Sequence, residues 1–423
     1  MFALDGIRIA DFTTFLSGAG ITHLLSDMGA DVIKIEPPDG DPWRSVSGGF
    51  MGTNRGKRAI AIDLKKEGAK EIIHKLIDTA DLLIENARPG AMQRLGLDYE
   101  SVHKIKPDII YFSDPAHGSK GPYAQFPGFD PIIQSRSGQM VAQGGIGDPP
   151  VFHRVAINDQ AAPMLGAFGA VLALMVRAKT GKGQYVETSL TNASVALQSG
   201  DFIDFKGMKR KYLGKKDIKG LSATSRLYQG LDGVWFFVHC ANETHWRSLC
   251  QILGLGRLLA DPRFESPEKR AENDAELTEI LSESFFTTPG AQWVKILLDA
   301  GVPAALSRNL ENLLEDPHCL QTNMFVYQDH PQWGPCQILG VTPRFSEMEG
   351  VVRRPSPLLG EHTDEVLAEL GYTEEQITDF KAKKVVFQSK PMVRLYERSE
   401  KELAQLGYTE EQIAKLKGKH SGR

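Results

Sequence analysis

The chain has 423 residues and a formal net charge of -4 at pH 7, with 41% hydrophobic and 24% charged residues. This composition is typical of soluble globular proteins, and the length predicts two or three domains. It lacks the basic footprint of a nucleic-acid-binding protein. The longest apolar run, Met164–Val176, is shorter than the roughly 20 residues that cross a bilayer. We therefore expect neither nucleic acid nor a membrane as a partner.

The first residues lack the charged start and hydrophobic stretch of a signal peptide. The four cysteines are far apart and form no CxxC pair, which favours reduced thiols in a cytoplasmic protein. No histidine has the spacing of a metal ligand, and GxSxG and HExxH motifs are missing from the sequence. We therefore predict a cytoplasmic location and no metal site.

Strand and helix patterns alternate through the first half of the chain. Helical patterns over Glu67–Thr79 and Tyr99–Lys106 lie between apolar segments. Alternation of this kind predicts an α/β fold, in which a mostly parallel sheet has helices on both faces. The predicted strands are Ile7–Phe12, Ala30–Glu36, Ala59–Leu64, Leu82–Glu85 and Ile109–Phe112.

The glycines after the first strand imitate a dinucleotide-binding loop. Gly18 and Gly20 follow this strand, and Glu36 ends the next one, as in NAD-binding folds. The third glycine position is occupied by His23, so helix packing of the NAD-binding kind is not supported. We favour a doubly wound sheet that does not bind NAD.

Two polar segments are candidates for binding an anion. Thr53–Arg58 places three cations before a strand, which suits either a solvated turn or a phosphate clamp that includes Lys57. Glu85–Arg94 combines a strand end with a helix start, where Asn86 and Arg94 are placed to contact an anionic or adenine-bearing ligand. Together the segments indicate a large phosphorylated ligand.

The most informative side chain is Asp159, which stands before a long stretch of small and apolar residues. A carboxylate at the start of such a helix faces unpaired N–H groups and a partial positive charge. We expect it to stay ionised, fixed and poorly solvated, as an acyl-accepting nucleophile requires. The alternative is a helix N-cap, with Pro163 in the first turn, and the local sequence favours that role. A strand over Tyr185–Leu190 follows.

The second half predicts a smaller α+β domain. Leu227–His239 is typical of a hairpin that turns at Asp232-Gly233. Helical patterns follow over Trp246–Leu253, Ala271–Phe286 and Ala291–Ala300. We assign residues 1–205 to the first part of the large domain, 206–225 to a linker, 226–325 to the small domain and 326–386 to a return to the large domain.

The carboxyl-terminal region contains an internal repeat. Leu367–Ile377 recurs almost unchanged as Leu403–Ile413, and each copy holds a Thr-Glu-Glu-Gln sequence that matches a capping box. Two copies are too few for a solenoid. We therefore interpret residues 387–423 as a duplicated, helical extension.

Several motifs, in this order along the chain, resemble the class III CoA-transferases of the CaiB/BaiF type. This group includes formyl-CoA transferase and crotonobetainyl-CoA:carnitine CoA-transferase. The resemblance runs from Leu4 to about Val386. It rests on Gly29–Glu36, Asn54–Arg58, Glu85–Gly90, Pro127–Asp130, Asp159, Lys179–Gln184 and Pro357–Asp364.

The resemblance implies a Rossmann-like large domain built from both chain ends, a smaller α+β domain, and an interlinked, ring-like dimer. The partner would be a second copy or a homologous subunit. It also implies a CoA-transferase whose substrates are an acyl-CoA and a carboxylic acid, with no permanently bound cofactor. Asp159 would first form a mixed anhydride with the acyl group and then an aspartyl-CoA thioester.

Site residues follow from the same resemblance. The positions implied to contact CoA are Phe15, Asn54, Lys57, Asn86, Arg94, Phe129 and Leu190. Those implied to line the acyl site are Phe129, Asp130, Gly144 and Gly145.

Two alternatives stay open beside the CoA-transferase. The related α-methylacyl-CoA racemases carry a His–Asp pair where this chain has Phe129-Asp130, so a racemase would lose one of its two proton-transferring groups. The chain would also fit a structural or CoA-binding subunit of a heteromeric CoA-transferase, although Asp159 argues against a subunit without catalysis. The missing glycine-rich loop near Gly214 and Gly220 argues against oxalate as the acceptor.

Overall fold

A computed structural model describes residues 2–208, 214–215, 218–348, 350, 352–389, 399–405, 409–410 and 413–414. The chain divides into two compact units. Unit 1 consists of Met1–Met140, Phe152–Lys209 and Leu320–Arg423. Unit 2 consists of Val141–Val151 and Arg210–Cys319.

Unit 1 contains a seven-stranded sheet in the order β13-β3-β2-β1-β4-β5-β6. Strands β1 to β6 are parallel, and β13 pairs antiparallel with β3. The expected α/β fold with a mostly parallel sheet is therefore confirmed. The strands are β1 (Arg8–Phe12), β2 (Asp31–Glu36), β3 (Arg58–Ile62), β4 (Leu82–Glu85), β5 (Ile110–Ser113), β6 (Gln184–Glu187) and β13 (Val386–Phe387).

Helices lie between these strands. A short 3₁₀ helix covers Pro42–Ser45. The α-helices of the first 200 residues are α1 (Phe15–Asp27), α2 (Ser47–Asn54), α3 (Ala69–Thr79), α4 (Ala91–Leu95), α5 (Tyr99–Ile105), α6 (Asp130–Arg136), α7 (Gln139–Gly144), α8 (Ile157–Thr180) and α9 (Leu190–Leu197).

Alternate residues of the strands supply two cores, one on each face of the sheet. Ala10 and Leu83 belong to the core that includes Leu76 of α3. Ile9 and Ile84 belong to the core that includes residues of α1 and α8. This is the burial expected of strands covered on both faces, and the six parallel strands follow the doubly wound order 3-2-1-4-5-6.

The glycines of α1 serve helix packing. A Cβ on Gly20 would lie 2.7 Å from Cγ of Pro163, and one on Gly166 of α8 would lie 2.4 Å from Cδ1 of Ile21. Gly18 lies inside α1 instead of in a loop before it. The glycines therefore let α1 and α8 approach closely, and the dinucleotide-loop hypothesis loses its basis.

One helix in the described residues, α8, is long and apolar enough to cross a membrane by length and composition alone. The apolar run Met164–Val176 therefore underestimates the length of this helix, because α8 continues beyond the run at both ends. Small residues of α8, among them Ala162, Gly166 and Ala170, are buried within unit 1. Core helices of soluble proteins also meet this length and composition test.

Unit 2 has a four-stranded antiparallel sheet in the order β10-β9-β8-β7. The hairpin predicted at Asp232-Gly233 is confirmed. The four strands of this sheet are β7 (Gly220–Ser222), β8 (Ser225–Gln229), β9 (Trp235–His239) and β10 (Ala304–Leu306), and β8 and β9 form the hairpin. Its helices are α10 (Glu243–Ile252), a 3₁₀ turn (Gly256–Ala260), α11 (Pro267–Glu272), α12 (Asp274–Phe285), α13 (Gly290–Asp299), α14 (Leu310–Leu314) and α15 (Pro317–Gln321), the last of which ends in unit 1.

Residues 141–151 cluster with unit 2, although they lie within the range 1–205 that was predicted as the first part of the large domain. The reason is a close backbone approach. A Cβ on Gly214 would lie 1.8 Å from the carbonyl oxygen of Ala142, and one on Gly145 would lie 2.0 Å from the carbonyl oxygen of Gly214. The predicted linker 206–225 lies partly outside the described residues.

The rest of unit 1 holds a hairpin of β11 (Phe325–His330) and β12 (Gly334–Leu339), followed by α16 (Thr363–Glu369), α17 (Glu374–Ala382) and α18 (Glu400–Gln405). The predicted capping box at Thr373 is present. The second copy of the repeat lies partly outside the described residues. Its Leu403 and Ile413 pack with Trp333 of the hairpin turn.

Candidate active site

A cavity of about 470 Å³ lies in unit 1, where β1, β4 and β5 end. Ligands bind at this edge in doubly wound folds, because the chain connections diverge where the strand order reverses. Here that reversal lies between β1 and β4. The cavity also receives the first turns of α6 and α8, and it brings together Phe15, Asn86, Phe129, Asp130, Asp159 and Leu190 among the predicted site residues.

Five predicted site residues do not line this cavity: Asn54, Lys57, Arg94, Gly144 and Gly145. The two glycines lie around the end of α7, and both belong to unit 2. Arg94 is exposed at the end of α4.

Lys57 and Asn54 are completely buried. The Lys57 ammonium donates to Asp11 Oδ2 at 3.0 Å, to the carbonyl oxygen of Ala19 at 2.9 Å and to Asn54 Oδ1 at 2.9 Å. All three of its hydrogens therefore have protein acceptors, and none is left for a phosphate. Sequence reasoning recognised the cation but had no means of seeing its burial.

The N-cap interpretation of Asp159 is wrong, because α8 begins at Ile157 and Asp159 is its third residue. The capping group is Asp130 instead. Its Oδ2 accepts from the backbone N–H of Asn158 at 2.7 Å and of Asp159 at 3.2 Å. Pro163 lies inside the helix and has no N–H for the carbonyl of Asp159, four residues before it.

Asp159 itself keeps a free carboxyl group. It makes no side-chain hydrogen bond or ion pair with any residue that the structure describes. Burial and, to a smaller extent, the nearby Asp130 carboxylate together raise the pKa of Asp159 to about 7. We expected this carboxyl to be ionised throughout. With its pKa raised to about 7, it is instead partly protonated near neutral pH, as is common for carboxyl groups in active sites.

Asp130 is held from both sides. Its Oδ1 accepts a hydrogen bond from Gln134 Nε2, while its Oδ2 caps α8. Gln134 also accepts from the backbone N–H of His153 at 3.1 Å. Behind the cap, Asn158 and Gln139 exchange two amide hydrogen bonds. This network fixes the first turn of α8, and hence the position of Asp159.

Aromatic rings form one wall of the cavity. Phe15 adopts a left-handed backbone conformation, with φ of 59°, which is costly for a residue with a side chain and typical of functional sites. Its ring meets Phe129 edge-on at 5.4 Å and Trp43 at 6.4 Å between centroids. The strained loop before it is tied to β4, because Asn86 exchanges two hydrogen bonds with the backbone of Thr14.

Two cations that the sequence analysis missed line the cavity: Arg88 and Arg154. Both are exposed, and neither forms an ion pair with a residue in the described part of the chain. Arg88 lies in the quoted motif Glu85–Gly90, and Arg154 lies shortly before Asp159. Their positions in these two segments were the available signal. They can meet anionic groups of a ligand.

No histidine is among the lining residues of this cavity within the described chain, so the racemase alternative gains no second base. Over the same described residues, no cluster of three or more histidine, cysteine, aspartate or glutamate side chains is arranged to hold a metal ion. The side chains that line the cavity therefore supply carboxyl groups, guanidinium groups and aromatic rings for chemistry.

Comparison with known proteins gives one consistent result. The family model of CoA-transferase family III matches residues 4–363. The chain is 32% identical over 402 residues to succinyl-CoA:glutarate CoA-transferase of Homo sapiens, covering 91% of this chain and 90% of that protein. It is 31% identical to succinyl-CoA–D-citramalate CoA-transferase of Chloroflexus aurantiacus, covering 90% and 98%.

A solved structure agrees with these relatives. The crystal structure of a CAIB/BAIF family protein from Brucella suis superposes with a TM-score of 0.79 at 30% identity, covering 87% of this chain and 99% of that one. The resemblance drawn from the motifs is confirmed.

Proposed function

The chain belongs to CoA-transferase family III and is an enzyme that transfers CoA, and on this premise we propose that Asp159 carries both the acyl group and CoA. The observation that supports this proposal is the free carboxyl of Asp159 in the cavity, on a helix turn fixed by Asp130. A nucleophile needs this combination of fixed position and unengaged oxygen atoms.

The first half-reaction has two steps. An oxygen of the Asp159 carboxylate attacks the thioester carbonyl of the donor, and the C–S bond breaks with its electron pair on the CoA thiolate. This gives a mixed anhydride. The thiolate then attacks the Asp159 carbonyl carbon, the donor acid leaves as a carboxylate, and an aspartyl-CoA thioester remains.

The second half-reaction reverses these steps with a different acid. The acceptor carboxylate attacks the aspartyl-CoA thioester, releasing the thiolate and forming a new anhydride. The thiolate attacks the acceptor's carbonyl carbon, and Asp159 leaves as a carboxylate. Water would hydrolyse either intermediate, and the rings of Phe15, Phe129 and Trp43 support its exclusion.

We propose dicarboxylic acids as substrates. The two relatives described above are named for succinyl-CoA with glutarate or D-citramalate. In this chain Arg88 and Arg154 line the cavity without an acidic partner among the described residues. We assign the second carboxylate of the acid to Arg154 and an anionic group of CoA to Arg88. The CoA thioester is a substrate here, and the scheme needs no resident cofactor.

The substrate class is tested with Arg154→Gln. We expect KM for a dicarboxylic acceptor such as glutarate to rise about tenfold, as for one lost charged contact, and KM for a monocarboxylic acceptor to change little. Arg94→Gln is the matched control, because Arg94 is exposed outside the cavity. Equal KM changes for both acids would remove Arg154 from substrate selection.

The covalent scheme is tested by trapping. The full-length enzyme is incubated with succinyl-CoA and hydroxylamine and then digested for mass spectrometry. We expect a hydroxamate at Asp159, and none in Asp159→Asn. A wild-type enzyme that transfers CoA without labelling at Asp159 would contradict the scheme, and a chain that neither transfers nor labels would fit a non-catalytic subunit.

We also propose that two copies of the chain associate through α8. Its outer face exposes a row of large apolar side chains: Met164 at 65%, Phe168 at 64%, Leu172 at 44% and Met175 at 54%. Continuous apolar surface of this kind marks an interface with another protein or a membrane. Analytical ultracentrifugation should give a dimer for the wild type and a monomer for Phe168→Glu; a monomeric wild type would overturn the proposal.

A further inference from the structure

A second carboxyl group of the cavity has no place in the scheme above. Asp114 follows β5, lines the cavity and is 2% exposed. Ser17 of α1 donates its hydroxyl hydrogen to Asp114 Oδ2 at 2.5 Å. The other oxygen, Oδ1, is buried and has no hydrogen-bond partner among the described residues. A buried polar atom without a partner is costly, which suggests that a ligand completes it.

Resting on the proposed function, we propose that Asp114 is a catalytic residue that, as the neutral acid, donates a hydrogen bond from Oδ1 to the oxyanion formed when Asp159 attacks a thioester. The geometry assigns the two oxygens different tasks. Because Oδ2 accepts from Ser17, the acid proton resides on Oδ1, the atom that faces no protein partner. Both carboxyl groups line the same cavity.

The surroundings of Asp114 keep it neutral. Burial raises its pKa to about 8; the hydrogen bond from Ser17 lowers the pKa, and the charges of Asp159 and Glu85 raise it. These groups face Asp114 from α1, α8 and β4, and no described cation pairs with it. A carboxylic acid kept neutral at pH 7 by its site serves as an oxyanion donor in ketosteroid isomerase.

The step balances without any co-reactant. As the Asp159 oxygen bonds to the thioester carbon, the carbonyl electron pair moves to oxygen, and the Asp114 O–H stabilises that charge. When the tetrahedral species collapses, the carbonyl re-forms and the C–S electron pair leaves on the thiolate. The proton stays on Asp114 throughout. Its contribution is a hydrogen bond that is strong only while the oxyanion exists.

The experiment compares Asp114→Ala and Asp114→Asn with the wild type. We expect Asp114→Ala to lower kcat roughly 10²- to 10³-fold, as removal of one oxyanion donor does. In the wild type, kcat should also fall above about pH 8 as Asp114 loses its proton. Asp114→Asn keeps an acceptor for Ser17 and places an N–H donor at the position of Oδ1, so it should retain activity above that of Asp114→Ala and lose this alkaline decline.

Two further variants separate catalysis from structure. Ser17→Ala should move the alkaline decline to higher pH, because the Ser17 hydrogen bond favours the ionised form of Asp114. Ser194→Ala, at an equally buried serine outside the cavity, should leave the profile unchanged. If Asp114→Asn keeps the alkaline decline, another group causes it. Lys57 is another group whose pKa lies at about 8, and the assignment to Asp114 would then be wrong.

Failure of this inference is distinguishable from failure of the covalent scheme. Hydroxylamine trapping in Asp114→Ala should still label Asp159, at a rate reduced in step with kcat. Undiminished labelling and kcat would overturn the role of Asp114 alone. A wild-type enzyme that transfers CoA without label would overturn the covalent scheme first.

Discussion

Two groups of buried or half-buried ionisable side chains lie close to the end of β1, and their pKa values shift in opposite directions. The first, which we call the buried ionic cluster, consists of Asp11, Lys34, Asp41 and Lys57. Lys57 pairs with Asp11 at 3.0 Å and Lys34 with Asp41 at 2.9 Å. The second consists of the cavity carboxyls, Asp114 and Asp159, and neither has a cation as a partner among the described residues.

The contrast shows that the neighbours decide the charge of a buried carboxyl. Burial acts to raise the pKa of Asp11, but Lys57, Lys34 and hydrogen bonds from two threonines outweigh it, so this pKa is lowered. Burial raises the pKa of Asp114 to about 8, and only one hydroxyl opposes it. The surroundings of the cluster favour its charged forms, whereas those of the cavity carboxyls favour the neutral acid.

The two regions also cooperate. Lys34 donates to the carbonyl oxygen of Thr13 at 2.8 Å, and Asp41 accepts from the backbone N–H of Phe15 at 3.2 Å. The buried ionic cluster therefore fixes the strained loop that forms one edge of the cavity. Its members influence catalysis by positioning this loop, without touching a substrate.

The largest effect should come from Asp159→Asn. Loss of the nucleophile should lower CoA transfer on the order of 10⁴-fold or more, as for other covalent catalysts. Stability should stay the same or increase, because a poorly solvated carboxyl is removed. A transfer assay and urea unfolding measure both. The variant Asp11→Asn should give the reverse pattern, and similar losses of stability in both variants would break the comparison.

The next effect is that of Lys57→Met. Removing the cation leaves the carboxylate of Asp11 without its closest partner, and breaking a buried pair costs about 3–5 kcal/mol. We expect the urea midpoint to fall while KM for the CoA donor of the folded enzyme is unchanged. Lys383→Met, in an exposed pair with Asp379, is the control and should leave the urea midpoint nearly unchanged. A raised KM at normal stability would restore the phosphate-clamp hypothesis.

Much of the fold could be predicted from the sequence, because the strands are buried on both faces and appear as apolar runs. Leu82–Glu85 matches its predicted strand at both ends. The strand predicted over Tyr185–Leu190 ends at Glu187, because Ser189 caps a helix there by accepting from Asn192 N–H. The clustering of residues 141–151 with unit 2 could not be predicted, since backbone approach between distant glycines leaves no local pattern.

The site was predictable only where one residue type determines the chemistry. Asp159 could be found in this way. The group that caps its helix could not, because Asp130 lies 29 positions away and no spacing rule connects the two. The same limit applies to Lys57, whose cationic motif is identical whether it faces solvent or Asp11. Asp114 was missed because nothing in Ser113-Asp-Pro indicates a neutral acid.

A smaller effect concerns the pH dependence of stability. The pKa of Asp159 is raised to about 7 in the folded chain, so its stabilising contribution is present below about pH 4 and is lost as the pH rises through 7. The free energy of unfolding of the wild type minus that of Asp159→Asn should fall by roughly 2 kcal/mol over this range, after allowance for partial solvation. Asp11→Asn should show the opposite sign, because the pKa of Asp11 is lowered. A flat difference for Asp159→Asn would mean that this carboxyl is not poorly solvated.

The smallest effect, and the one that tests the link between cap and nucleophile, is that of Asp130→Asn. An asparagine still offers a side-chain oxygen to the N–H groups of Asn158 and Asp159, so the cap is kept while its charge is lost. Without that charge the pKa of Asp159 should fall, because the Asp130 carboxylate raises it. The acid limb of the kcat/KM profile should therefore move to lower pH, with some loss of stability because the asparagine N–H replaces the oxygen that accepts from Gln134 Nε2. Asp130→Ala should move the limb in the same direction and also cost about 1 kcal/mol of stability, since it removes the cap. If the limb stays in place in both variants, Asp130 acts on Asp159 through position alone, and the contrast between paired and unpaired carboxyls has to be explained by burial only.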